Sequence, residues 1–419
     1  MLRKIQAEET EPQRPSLGWV FLSALGLAQI CSWGSLYYAF PQIAIAMNAE
    51  FGWAKSDLYG ALTLSLLLKA FAAVPIGMAI DRGYGRAVMT LGSAIAGLMF
   101  FMWSQTQFLW WFYVSLAGIG LMQAAVLYSA IFAIMSRHYD QTKVRDNITT
   151  LTLWGGFAST VFIPLIEFLM AHMDWRSVLI ILGLVNILIC AGIYQFLPNF
   201  TQRVPTPAHQ TKLSNSDDRG TKWAIAQPVF WTLLICFALY SMMTTSFRFH
   251  LYPLLLENGL TGEKAVFIMA LLGPAQVAGR ALMQIYKTKS IAQIGLFVVS
   301  LFPLCFIALV LFPAHIPILM IVAVCYGTAA GTMTIIRGIA VPEFLTKNAY
   351  GTINGIMSIP ITVMTALAPS IAALSWRMTG SYSVLMYGLI GLSSLVFLSF
   401  IATIVSASRS TFPDDTQHG

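Results

Sequence analysis

The stretch PIGMAIDRGYGRAVM, residues 75–89, interrupts an apolar run with Asp81, Arg82 and Arg86 and with the glycines Gly83 and Gly85, and is apolar again at once. A short charged turn between two long apolar runs is what joins two membrane helices on one face of a bilayer. Gly83 and Gly85 permit a turn that other residues resist. Gly77 is read as a point where a neighbouring helix approaches closely. Asp81 is placed to pair with Arg82, Arg86 or a helix end, and such a charged latch would open when two halves of a molecule rock apart.

The rest of the chain bears out a lipid environment. It is 57% hydrophobic and 10% charged, against about 25% charged in ordinary soluble domains. A soluble core of this length cannot enclose so much apolar surface. Spanning a bilayer takes about 20 apolar residues, and twelve runs reach that length: 18–43, 58–80, 87–105, 108–135, 148–172, 177–197, 226–252, 265–286, 291–312, 315–338, 350–375 and 382–406. Backbone in lipid must satisfy itself, as a helix or a closed barrel. These runs are too long and too evenly apolar for barrel strands. The expected fold is therefore all-α and integral to the membrane, with twelve transmembrane helices.

The organisation follows from the gaps. Residues 1–17 form a polar tail, and the run after them is too long for a signal-peptide core, so it reads as an uncleaved span. The widest polar gap reads as a flexible linker at 198–225. It divides the chain into six-helix halves, 18–197 and 226–406, with a tail at 407–419. Seventeen of the 24 lysines and arginines fall in gaps on the side of the N-terminus, five near the other side. That bias places both termini in the cytoplasm.

The net charge of +7 is spread through these gaps without forming a patch with aromatics, so nucleic acid is not an expected partner. The five cysteines sit singly in apolar runs and read as small buried hydrophobes, not as a disulfide or metal framework. No cofactor is implied, and the absence of a phosphate-binding glycine loop argues against ATP as the driving force.

Gly77, Asp81, Arg82, Gly85 and Arg86 resemble the loop 2–3 signature of the major facilitator superfamily, G-x-x-x-D-R-x-G-R-[RK]. One residue is extra before the second glycine, and Ala87 replaces the last basic position. The resemblance implies two six-helix bundles, alternating access, and a substrate site at the midplane between them. It implies a secondary transporter driven by a proton gradient or by exchange; a monomer, not an enzyme, is expected, and the short loops and lean linker point to a bacterial inner membrane.

Ionisable groups inside spans mark pathways or interhelical pairs. Lys69 lies near the middle of the second span, about 16 Å of helix from either end, too deep to reach an interface. Arg280, in GPAQVAGRALM, lies where the monocarboxylate and oxalate/formate branches of the superfamily carry an anion-recognising arginine. Trp33 and Tyr37 of the first span are read as substrate contacts or as packing. Arg248, near the outer end of the seventh span, is read as an interface anchor or a periplasmic gate. His250 and Glu167 are the candidates for proton coupling, Glu167 with interhelical pairing as its alternative. Arg337, at the end of the tenth span, is read as a gate or retention charge. Bases outnumber acids among these groups, and an excess of buried positive charge wants an anion. A small organic anion such as a carboxylate is the expected substrate.

The rivals are proton-coupled efflux of drugs or metabolites and, more distantly, a polytopic membrane enzyme. The fourth span lacks the arginine of drug exporters and the fifth lacks their Gly-Pro pair. The six histidines lie in separate segments without metal spacing.

Overall fold

The computed structural model describes residues 19–138, 150–197, 222–285, 290–345 and 350–408. The described residues are helical throughout, without strands, and include twelve helices long and apolar enough to cross a membrane. These are α1 (Trp19–Phe51), α2 (Lys55–Ala79), α3 (Arg82–Ser104), α4 (Leu109–Met135), α5 (Thr150–His172), α6 (Trp175–Tyr194), α7 (Pro228–Glu257), α8 (Gly262–Met283), α9 (Ile291–Leu311), α10 (Ile316–Phe344), α11 (Ile353–Thr379) and α12 (Ser383–Ala407). An even number of spans puts the start of α1 and the end of α12 on one side, called here the terminal face. The tails at 1–17 and 409–419 and most of the linker (198–221) lie outside the described residues.

Each half has its own core. Trp103, Phe100, Phe112 and Tyr194 anchor that of α1–α6, and Phe230, Phe302, Phe306 and Phe400 that of α7–α12. Few residues cross over: Ile163 of α5 joins the second core, and Phe249 of α7 with Ala366 and Ala373 of α11 joins the first. Between the halves α2 packs on α11 and α5 on α8. The halves also repeat one close approach. Gly120 of α4 rests on the backbone of Ser65 in α2, and Gly331 of α10 on the backbone of Gln276 in α8. A side chain at either glycine would force those helices apart.

The charged turn is a wide helical turn over Ile80–Tyr84, reversed at Gly83, whose φ of 94° is left-handed. Gly83 alone carries the turn. Gly85 is helical and packs against Ile134 of α4, where a Cβ would collide. Gly77 does not match its expected part: a Cβ there would meet nothing within 4 Å. Arg82 and Arg86 are exposed, and the Asp81 side chain lies outside the described residues.

Three helices run further than their apolar stretches. α1 continues to Phe51, α7 to Glu257 and α10 to Phe344. In α1 and α7 polar residues near these ends are held by neighbours within the bundle, Glu50 by Arg176 and Glu257 by Trp376, so hydropathy falls before the helix stops.

Candidate functional site

Most of the contacts that join the halves at side-chain level lie on the side away from the terminal face. Tyr252 of α7 donates to Glu167 of α5 at 2.6 Å, and Gln42 of α1 donates to the same carboxylate oxygen at 2.9 Å. Tyr59 of α2 donates to the Phe249 carbonyl at 2.9 Å, and its ring stacks on His250 at 4.1 Å. Thr63 of α2 and Ser370 of α11 share a 2.6 Å hydrogen bond. Nearest the opposite face, the Lys55 ammonium sits 3.5 Å above the Trp376 ring, and Glu257 accepts from Trp376 Nε1 and from the Tyr382 backbone N–H, each at 2.7 Å. Together these close one end of the seam.

His250 belongs to this seal. It is fully buried, one ring nitrogen 3.1 Å from the Tyr382 hydroxyl and the other 2.9 Å from the Pro369 carbonyl. Arg248 does not. Nine residues of α7 follow it, and it shares its surroundings with Tyr37, Tyr38, Tyr240 and Tyr326, deep in the protein. The sequence placed it near the end of a shorter helix. The outer position expected for it is held instead by Lys55.

Below the seal the basic side chains converge on an aromatic chamber. α1 opens into a wide π-helical turn over Gly34–Tyr38, where Gly34 lies against the Phe162 ring of α5. This turn presents Trp33, Tyr37 and Tyr38 inward. The Trp33 ring contacts Tyr37 at 5.5 Å and Tyr128 of α4 at 5.0 Å, and the Lys69 ammonium lies 5.3 Å from it. Tyr37 is buried against Tyr38 and Phe249. From the other half, Arg280 reaches across the seam and donates to the Thr152 carbonyl of α5 at 2.8 Å. Tyr128 and Tyr38 lie in its electrostatic surroundings.

Two features of this chamber are chemically unfinished. Among the described residues Lys69, Arg248 and Arg280 have no carboxylate partner; the side-chain ion pair there is Arg176–Glu50, near the opposite face. Glu167 is taken up by Tyr252 and Gln42. In addition, Trp33 Nε1 and Arg280 Nε are buried without a hydrogen-bond partner among the described residues. Both atoms are donors only. A cluster of bases and orphaned donors, with no described carboxylate paired to it, offers a place to an acceptor-rich guest.

The family follows from comparison. The model of the Major Facilitator Superfamily matches residues 25–369. The chain belongs to the major facilitator superfamily. Members of the superfamily are transporters, and this chain is a multi-pass membrane protein of that kind. It is similar to monocarboxylate transporter 12 of Mus musculus, 20% identical over 94% of this chain and 87% of the relative. It is also similar to monocarboxylate transporter 13 of Rattus norvegicus, 24% identical over 80% and 77%. Among solved structures, the nucleoside transporter NupG superposes with a TM-score of 0.73 at 14% identity, covering 92% of this chain and 98% of that one. A bacterial homologue of the human lysosomal transporter Spinster, in an inward-facing conformation, gives 0.63 at 16% identity, covering 93% and 95%. These likenesses establish the superfamily fold.

Sequence reasoning missed Tyr59, Tyr128, Tyr240, Tyr252, Tyr326 and Gln42. Their signal was present. Tyrosines in membrane proteins favour the two interfaces, and several of these lie well inside their spans.

Proposed function

We propose that the protein is a secondary transporter of a small organic anion, a monocarboxylate in the first instance, working by alternating access. The observation that carries this is the chamber: Lys69, Arg248 and Arg280 without an acid, beside the unpartnered donors Trp33 Nε1 and Arg280 Nε. A carboxylate supplies the missing charge and acceptors together, and charge-assisted hydrogen bonds are the strong ones. The similarity to monocarboxylate transporters supports the same reading.

The coupling residue in this reading is Glu167. Its carboxylate accepts from both halves at the seam, so losing its negative charge would weaken both of those bonds. His250, with both nitrogens engaged inside one half, serves as a structural part of the seal. The protein is taken to work as a monomer, with the terminal face in the cytoplasm and a bacterial inner membrane as its home, on the distribution of basic residues and the short gaps between spans.

The test is thermal-shift screening of the detergent-solubilised protein against acetate, lactate, oxalate, zwitterions and cationic drugs. A ligand that binds only the folded state raises its apparent stability. Carboxylates are expected to stabilise wild type but not Arg280→Ala or Lys69→Ala. Stabilisation by cationic drugs alone, unchanged in both variants, would replace the anion reading with efflux.

A further inference from the structure

A second cavity, of about 380 Å³, lies between α7, α10 and α11. Its lining residues all fall in the half of their helices next to the terminal face, and Arg337, Tyr240, Thr334, Asn354 and Ser358 give it a polar wall. Arg337 was expected at the tip of its span, as a gate or a retention charge. The helix runs seven residues further, to Phe344, so the guanidinium stands about 10 Å inside the helix end at 1.5 Å per residue. It is half-buried and has no carboxylate partner among the described residues.

The cavity is linked to the chamber through Tyr240. That buried ring on α7 has Arg248, Arg280 and Arg337 all in its electrostatic surroundings. Tyr240 and Arg248 are eight residues apart on one helix, about 12 Å along its axis. Arg248, Arg280 and Arg337 thus lie around one ring, and that ring also lines the Arg337 cavity.

Two of the hydroxyls of this cavity already have acceptors. Thr334 donates to the Gly331 carbonyl at 2.6 Å and Ser358 to the Asn354 carbonyl at 2.7 Å. The guanidinium is left as its basic donor. A polar cavity with one unpaired guanidinium and no described acid fits a small anion. Two weak stations in series let an ion bind without being trapped, because binding must be favourable enough to admit it and weak enough to release it.

We propose that Arg337 forms a second carboxylate subsite, a staging point between the chamber and the terminal face. This rests on the anion reading given above. The subsite sets the affinity seen from the terminal face, and the chamber that seen from both.

The experiment is sided uptake of labelled lactate, acetate and oxalate into right-side-out and inverted membrane vesicles carrying the full chain. Arg337→Gln is expected to raise KM for the anion presented at the terminal face about tenfold, the loss of one charge-assisted hydrogen bond, and to leave KM at the opposite face unchanged. Arg337→Lys, which keeps the charge, is expected to recover most of that loss. A KM raised equally on both faces, or on neither, overturns the subsite while leaving the anion reading standing. A wild-type protein that carries none of the three anions overturns that reading and takes the subsite with it.

Discussion

Tyr252 of α7 holds Glu167 of α5 through a 2.6 Å hydrogen bond that crosses from one half of the molecule to the other. The same carboxylate oxygen receives Gln42 of α1 from its own half. Glu167 is thus a clasp, and breaking it on one side leaves the other intact.

Tyr252→Phe removes the crossing bond and keeps the ring. Hydrogen bonds to charged groups contribute about 1.5–3 kcal/mol, so the population open toward the opposite face should grow about tenfold or more. A reporter cysteine at Leu256, which lines the cavity on that side, should react with a maleimide correspondingly faster. An unchanged rate would show that the clasp does not hold the seam.

Glu167→Gln keeps the shape and removes the proton site. Uptake driven by an imposed proton gradient should be lost, while exchange of labelled for unlabelled substrate continues. Retention of gradient-driven uptake would move proton coupling to another residue.

In the chamber, Arg280→Ala and Lys69→Ala should each weaken carboxylate binding about tenfold or more, since each strips a charged partner from the ligand. Arg280→Lys should not restore it fully. The guanidinium spends one nitrogen on the Thr152 carbonyl and leaves Nε without a described partner, a fork that an ammonium does not reproduce. Thermal-shift titration reads both effects.

The glycines of the charged turn separate by conformation. Gly83→Ala forces a side chain into a left-handed position and should cost about 1–2 kcal/mol. Gly77→Ala faces open space within a helix and should be neutral or stabilising by about 0.5–1 kcal/mol. Melting temperatures of the two variants decide this; equal losses would contradict it.

The twelve spans were legible because lipid imposes length and apolarity on each helix independently of its neighbours. Lys69 and Arg280 were legible because a basic group deep in such a run stands out. The extended ends of α1 and α7 were not, since residues such as Glu50 and Glu257 are tolerated only through partners distant in sequence: Arg176 for the first, Trp376 for the second. Arg248 was misplaced for the same reason, and Arg337 because α10 runs on to Phe344 past its apolar stretch. Gly77 shows a different failure, because a motif glycine gives no sign of whether it faces a helix or open space.

The π-helical turn at Gly34–Tyr38 has a consequence for the whole first helix. A π-turn takes in one more residue than an α-turn, and one residue corresponds to about 100° of rotation around a helix axis. The turn therefore acts as a phase shifter. It sets the angular position at which everything beyond it emerges, including Phe40, which meets Tyr59, and Gln42, which meets Glu167. Deleting a single residue from this turn would leave the chamber's Trp33 where it is and swing the clasp out of register, so the two ends of one helix are tuned to each other by five residues in between.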